Sequence, residues 1–152
     1  MAVDLSSHSA ATVGYAAQFA QAFGASLTLA HVCPPEPVNP LIVTPEVFTA
    51  PERQRAAAQE AVAELAQSVR LTCPHCQGRV LTGEPADQIA QLARDLNADL
   101  IITAGHHPGR LRRLFNLDHA VHILHRAPCP VLVYYDKEEW IQQEFEGRYD
   151  GQ

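Results

Sequence analysis

The sequence predicts an α/β fold: a doubly wound, five-stranded parallel sheet with helices on both faces. Two observations carry this prediction. Five short apolar segments have the character of buried strands, and four segments with helical spacing of their apolar residues separate them. Strands and helices that alternate in this way are joined by right-handed crossovers, so the strands run parallel. The 152 residues suffice for one compact domain and are too few for two ordinary ones.

The first strand and the first helix are predicted from a short apolar segment and from the capping residues that come after it. Residues 2–5 are the end of a buried strand. The serines that come next offer caps for a helix that runs to about residue 23 and stops at Gly24. The second strand is predicted at residues 26–32, where leucines and His31 alternate with smaller residues.

Residues 33–51 are predicted to form a long loop. This segment contains six prolines, which is too many for a regular element. A helix is predicted over residues 52–69, because apolar residues recur there at spacings of three and four in an Ala-, Gln- and Glu-rich segment. Residues 79–82 are predicted as a short third strand.

The second half of the chain completes the predicted sheet. After Gly83 a helix begins with Pro85 in its first turn and carries an apolar stripe along one side. Residues 99–103 are a strongly apolar fourth strand. A loop with two glycines leads to a helix over residues 117–126, and the last strand is residues 130–135.

Residues 1–135 are therefore predicted to form one domain, and residues 136–152 an acidic tail. The tail holds six acidic and two basic residues, so it carries most of the net charge of −6. Ile141 and Phe145 lie four residues apart, with Trp140 beside them, which is typical of an amphipathic helix. Such a helix either docks on its own domain or contacts a second copy or another protein.

Composition excludes several classes of function. A net charge of −6 disfavours a general role on nucleic acid or anionic membrane. Lys137 is the only lysine and lies in the tail, which excludes a Gly-Lys-Ser/Thr phosphate loop and Schiff-base chemistry. No apolar run approaches the roughly 20 residues of a membrane span, and Asp4 interrupts any signal-peptide pattern. We expect a cytoplasmic protein with reduced cysteines.

The ligand site is predicted at the carboxyl ends of the strands. Open parallel sheets bind ligands beyond these ends, where the strand order reverses. Here the ends carry Asp4, Ser6, Val32 and the segment that starts at Ala104. None of them supplies a nucleophile with a positioned base, so we expect a protein that binds rather than catalyses, with weak nucleotide hydrolysis left open.

Five stretches of the sequence occur in an order that is typical of one known family. They are residues 3–9 (VDLSSHS), 27–32 (LTLAHV), 83–89 (GEPADQI), 98–102 (ADLII) and 125–133 (HRAPCPVLV). Through these stretches the chain resembles the universal stress protein family. The resemblance implies a stress-response protein with an adenine-nucleotide alpha-hydrolase-like sheet of strand order 3-2-1-4-5. It also implies a homodimer that pairs through the last strand. It further implies that the first strand is short here, because the first strand of family members begins before the position that matches Met1.

The resemblance further implies an adenine-nucleotide ligand, AMP or ATP. Asp4 is similar to the family's aspartate at the end of the first strand, which contacts adenosine in nucleotide-binding members. Val32 and Ala104 fall at the matching ends of two other strands. Capping of the following loop and helix is an alternative role for Asp4, and the two roles are compatible.

The predicted phosphate loop departs from the family pattern. ATP-binding members resemble one another in a loop of Gly, two residues, Gly, nine residues, then Gly and Ser or Thr. Gly105 matches the first glycine, but Pro108 stands at the second, with Gly109 one place late. Counted from Gly105, Asp118 and His119 stand where the final Gly and Ser/Thr belong; counted back from Pro128, Leu117 and Asp118 stand there, and neither register restores the motif. Because Asp118 suits a helix N-cap but repels a polyphosphate, an AMP-like ligand is easier to reconcile with this loop than ATP.

Arginines in the same loop offer another way to hold a phosphate. Arg110, Arg112 and Arg113 are able to bind it through their side chains instead of the backbone, or they form a solvated surface. The candidate nucleotide-binding residues are Asp4, Ser6, Val32, Ala104, Gly105, His106, Gly109, Arg110, Arg112, Asp118 and His119.

Histidines and cysteines support an alternative, a metal- or redox-responsive module. Three histidines at spacings of three lie in the helix at residues 117–126, and residues 73–76 (CPHC) look like the active-site run of thiol oxidoreductases. The CPHC run follows a helix and precedes a strand, which is the reverse of its context in oxidoreductases, so inert thiols are the competing interpretation. For the histidines, the competing interpretation is a surface or capping role. The candidate metal ligands are His106, His119, His122, Cys73 and Cys76.

Overall fold

The structure, a computed structural model, describes residues 1–6, 9–35, 45–104 and 117–134. Its helices and parallel strands confirm the α/β class. The helices are α1 (Ser9–Phe23), α2 (Pro45–Ser68), α3 (Pro85–Asp95) and α4 (Leu117–Arg126), and the strands are β1 (Leu27–Cys33), β2 (Cys76–Thr82), β3 (Ile101–Ala104) and β4 (Val131–Tyr134). Within the described residues no helix is both long and apolar enough to span a bilayer.

The strands form two parallel ladders that meet at one residue. β1 pairs with β2 and β3 pairs with β4. Ala2 bridges Ala30 of β1 on one side and Thr103 of β3 on the other. Residues 2–5 were predicted as a strand, but only Ala2 forms bridges, and at Leu5 the chain turns with a φ of 60°. The five-strand order 3-2-1-4-5 stays a prediction.

Two apolar clusters lie on opposite faces of the sheet. Leu29 of β1 packs in a cluster with Val13 of α1 and Val62 of α2. The next residue, Ala30, packs in the other cluster, with residues of α3 and α4 that include Ile123. Neighbouring residues of a strand point to opposite faces, so α1 and α2 lie on one side of the sheet and α3 and α4 on the other.

Two predicted boundaries are wrong. The predicted loop at residues 33–51 overlaps α2, which begins at Pro45 and contains Pro51. Proline is well suited to the first helical position, because its fixed φ matches the helix and its missing N–H has no partner there. The third strand begins at Cys76 instead of residue 79, since Cys76 already pairs with Leu27.

Close packing of α2 on β2 gives Gly78 a specific role. A Cβ at Gly78 would lie 2.6 Å from Cγ1 of Val62, a buried residue, and 3.4 Å from its carbonyl oxygen. We therefore expect Gly78→Ala to lower the free energy of unfolding by about 1–3 kcal/mol through overpacking. Urea denaturation followed by circular dichroism measures the change.

The matched control for this prediction is Gly14→Ala in α1. No atom lies within 4 Å of a Cβ built at Gly14, so this variant is expected to gain about 0.5–1 kcal/mol from helix propensity alone. If both substitutions raised the free energy of unfolding, α2 would not pack tightly against Gly78.

Candidate functional site

The carboxyl ends of β1 and β3 define the candidate site. β1 ends at Val32 and Cys33, and β3 ends at Ala104. Ala2 bridges these two strands, and Asp4 follows two residues later in the same direction. The structure thus brings Asp4, Val32 and Ala104, three of the sequence-predicted residues, to one edge of the sheet.

Asp4 is exposed, and its carboxylate caps the loop that leads into α1. Its Oδ1 accepts a hydrogen bond of 3.0 Å from the backbone N–H of Ser6 and one of 2.8 Å from the hydroxyl of Ser9. Ser9 is the first residue of α1 and is buried. Side-chain oxygens before a helix commonly satisfy donors in this way. The predicted capping role of Asp4 is therefore confirmed, and it holds the carboxylate in a fixed position at the sheet edge.

His31 supports this arrangement and was not among the predicted site residues. Its Nδ1 lies 2.9 Å from the carbonyl oxygen of Val3. A carbonyl only accepts, so Nδ1 carries the proton and donates it. The bond fixes the backbone immediately before Asp4. The sequence does contain a signal for His31. It is a polar residue near the end of β1, at an alternate position that leucines occupy earlier in the strand.

The family-like stretch at residues 83–89 has a structural role at the same edge. The N–H of Gly83 donates to the carbonyl of Cys33 over 3.1 Å, which ties the end of β2 to the end of β1. Gly83 has a φ of 140°, a conformation that L side chains rarely adopt. Glu84 caps α3 by accepting from the N–H of Asp87 at 3.0 Å. These contacts position the start of α3 rather than a ligand.

Most of the remaining predicted nucleotide-binding residues fall outside the described part of the chain. Gly105, His106, Gly109, Arg110 and Arg112 belong to this set. The backbone of Asp118 and His119 is described as the first turn of α4, but their side chains are not. The phosphate loop therefore stays a prediction.

A groove of about 350 Å³ lies between the start of α1 and α2. It shares Ser6 and Ser9 with the Asp4 capping network but includes neither Val32 nor Ala104. It is therefore distinct from the predicted crevice between β1 and β3. Its lining residues are Leu5, Ser6, Ser9, Ala10, Ala61, Glu64, Leu65 and Ser68.

The candidate metal ligands do not converge within the described residues. Cys73 and Cys76 are buried in the cluster on the α1 and α2 side. His122 is exposed on α4, on the other side of the sheet. No group of three or more ligating side chains forms among the residues that the structure describes. His106 and the His119 side chain lie outside those residues.

Burial shields both CPHC thiols, and it makes Cys76 a poor nucleophile. It raises the pKa of Cys76 to about 11, with a further rise from the neighbouring Cys73. The pKa of Cys129 is also raised by burial. Because the thiolate is the reactive form, we expect the native protein at pH 7.5 to react slowly with Ellman's reagent.

All four cysteines should react at once in guanidinium chloride, since none forms a disulfide. The ratio of the two rates measures the protection. Rapid labelling of two thiols in the native protein would instead favour the redox interpretation.

Comparisons with known proteins agree with this architecture. Residues 1–134 match the model of the universal stress protein family. A curated Thermus aquaticus relative, named a universal stress protein in the QAH/OAS sulfhydrylase 3′ region, is 33% identical over 134 residues, which cover 88% of this chain and 94% of that protein.

Two solved structures share the fold. A universal stress protein in complex with cAMP has a TM-score of 0.61 and 21% identity, with 89% of this chain and 93% of that one covered. The Archaeoglobus fulgidus universal stress protein in complex with dAMP has a TM-score of 0.59 and 20% identity, with coverage of 87% and 92%. The family model spans nearly all of the predicted domain, and one relative exceeds 30% identity along most of both chains. This chain belongs to the universal stress protein family.

Proposed function

We propose that the protein binds an adenine mononucleotide at the carboxyl edge of its sheet and acts in the stress response by binding rather than by catalysis. The position of Asp4 carries this proposal, because it follows the one described residue that bridges both β1 and β3. Ligands of parallel α/β sheets bind at such a point. The cAMP and dAMP complexes of proteins with the same fold support the ligand class.

Asp4 supplies an acceptor for the nucleoside. An exposed carboxylate fixed by Ser6 and Ser9 is able to accept charge-assisted hydrogen bonds from ribose hydroxyls or the adenine amino group. Val32 and Ala104 end the flanking strands and offer backbone groups and apolar contact to the base. His31 keeps the Asp4 segment in place through Val3.

A mononucleotide suits the loop after β3 better than ATP does. Pro108 replaces one phosphate-loop glycine, and Asp118 occupies a motif position at which a carboxylate repels a polyphosphate. Arg110 and Arg112 provide positive side chains for a single phosphate. Gly105 and Gly109 permit close approach of the backbone.

The proposal includes the strand order 3-2-1-4-5 and a homodimer. The double bridge of Ala2 supports a central first strand, with β1 and β2 on one side and β3 and β4 on the other. Among described residues β4 pairs with β3, and a second copy would pair along residues 130–135. Light scattering should give twice the chain mass of 16.6 kDa.

Calorimetric titration with AMP, cAMP, dAMP, ATP and GMP tests the proposed function. We expect the adenine mononucleotides to bind more tightly than ATP, and GMP to bind weakly because it shares the phosphate but not the base. Incubation of ATP with the protein should release no phosphate above background. Failure of every adenine nucleotide to bind at millimolar concentration would contradict the proposal.

A further inference from the structure

Helix α1 has an unusual composition for a helix on the outside of a sheet. Its sequence, SAATVGYAAQFAQAF, contains no charged residue. One side, with Val13, Ala16, Ala17 and Ala20, packs into the core. Its polar side chains are Ser9 and Thr12, which are buried, and Gln18 and Gln21, which are exposed. The exposed glutamines mark the side of α1 that faces water, and the aromatic side chains of the helix lie between that side and the core.

The flank of α1 carries a row of aromatic rings, which we call the aromatic row: Tyr15, Phe19 and Phe23 of α1 with Tyr134 of β4. Tyr15 and Phe19 are half-buried, and Phe19 packs against the core cluster. The ring centroids of Tyr15 and Phe19 are 6.5 Å apart, and those of Phe19 and Phe23 are 4.6 Å apart. Tyr15 stacks on Tyr134 at 4.5 Å. The row becomes more exposed along α1, and Phe23 is 71% exposed. The row thus continues from the end of the last strand to the end of α1.

Among the described residues, the core cluster covers Phe19 in part and leaves Phe23 exposed. α3 and α4 lie on the opposite face of the sheet, and α2 shares the core side of α1. The chain beyond Tyr134 is the segment best placed to reach the row, because Tyr134 is itself the row's first member. We propose that residues 136–152 of the same chain dock on the aromatic row through Trp140, Ile141 and Phe145.

Length and chemistry both fit this occupant. From Tyr15 to Phe23 the row follows eight residues of helix, or about 12 Å. Even as a continuous helix, residues 136–152 would extend about 25 Å, so they are long enough to follow the row. Trp140, Ile141 and Phe145 offer aromatic and aliphatic contact, and aromatic pairs gain from offset or tilted packing. Glu144 between Ile141 and Phe145, and the acidic residues on either side of this group, remain able to face water.

A second exposed apolar patch lies on the opposite face and serves as an internal control. It consists of Val121 and Leu124 of α4 and Val133 of β4, which are 45%, 58% and 37% exposed. Polar groups interrupt it, since exposed His122 and His125 alternate with its α4 residues. The side chain of Tyr134 lies on the α1 side, so the aromatic row is the nearer surface at the point where the tail departs.

Trp140 is the only tryptophan, so its fluorescence in the full chain reports docking directly. We expect blue-shifted emission and protection from acrylamide relative to the guanidinium-denatured protein. Phe23→Ser should shift the emission to the red and remove the protection. Leu124→Ser should leave both unchanged. Phe23 is exposed, so the variant is expected to keep its far-ultraviolet circular dichroism, which checks the fold.

Three results would each overturn the proposal. In the first, Trp140 of the wild-type protein is as exposed as in the denatured chain. In the second, Leu124→Ser and not Phe23→Ser shifts the emission, which would place the tail on α4. In the third, protection falls on dilution together with the mass measured by light scattering, which would assign the row to a second copy.

Discussion

Asp4→Asn is expected to weaken the binding of AMP by about 10- to 100-fold. A hydrogen bond to a charged group contributes about 1.5–3 kcal/mol, and each 1.4 kcal/mol corresponds to a factor of ten in affinity. The amide retains one oxygen acceptor, so the bonds from Ser6 and Ser9 that cap α1 are able to persist. Calorimetry measures the affinity, and urea denaturation measures the free energy of unfolding in parallel.

The matched control is Asp87→Asn, which removes another exposed carboxylate. Asp87 forms an ion pair of 2.6 Å with Arg126 between α3 and α4, with both side chains about half exposed. Such surface pairs contribute little to stability, so neither folding nor AMP affinity should change appreciably. An Asp4→Asn variant that binds AMP as the wild-type protein does would remove Asp4 from the proposed site.

The comparison with Asp4→Ala separates capping from ligand contact. Alanine removes both the charge and the acceptor, so we expect the same loss of affinity together with a loss of about 0.5–2 kcal/mol in stability. Equal stability of the Asn and Ala variants would show that the bonds from Ser6 and Ser9 contribute little to folding.

Leu29→Ala is expected to cause the largest loss of stability, about 2–5 kcal/mol. Leu29 lies in β1, has no exposed surface and packs between α1 and α2 on one face of the sheet. Its truncation removes buried apolar surface and leaves a cavity that neighbouring strands and helices cannot easily fill. Denaturation midpoints and slopes in urea, followed by circular dichroism, give the change.

Leu71→Ala provides the control with the same chemical change. Leu71 is 100% exposed in the turn that follows α2, so its truncation should change the free energy of unfolding by less than about 0.5 kcal/mol. Similar effects of the two substitutions would contradict the assignment of Leu29 to the centre of the core.

Much of the fold was predictable because its elements follow simple periodicities. The apolar run around Ile101 and the helical spacing in α3 identify their elements from local sequence. Pro45 misled the prediction, since the same residue marks both loops and helix starts. Cys76 was excluded from its strand because its pairing with Leu27 depends on a distant segment. Long-range pairing of this kind leaves little trace in the local pattern.

The candidate site was predictable where it depends on strand ends and not where it depends on hydrogen bonds. The positions of Val32 and Ala104 follow from the ends of β1 and β3. The bond from His31 to Val3 joins residues 28 positions apart and has no local signature. The capping bonds of Asp4 span only two to five residues, which is why the capping role was foreseen.

The single-residue junction at Ala2 has a mechanical consequence for the sheet. Within the described residues, the half formed by β1 and β2 and the half formed by β3 and β4 are joined by the short segment Met1–Val3, in which Ala2 alone bridges both halves. We therefore expect the two halves of the sheet to separate from each other more easily than the paired strands within each half. We call the boundary between the halves the seam. A nucleotide that contacts both Val32 and Ala104 would hold the two halves together across this seam. Its binding should slow hydrogen exchange at the amides of Ala2 and Val3, which donate across the seam to Ile102 and Ala30.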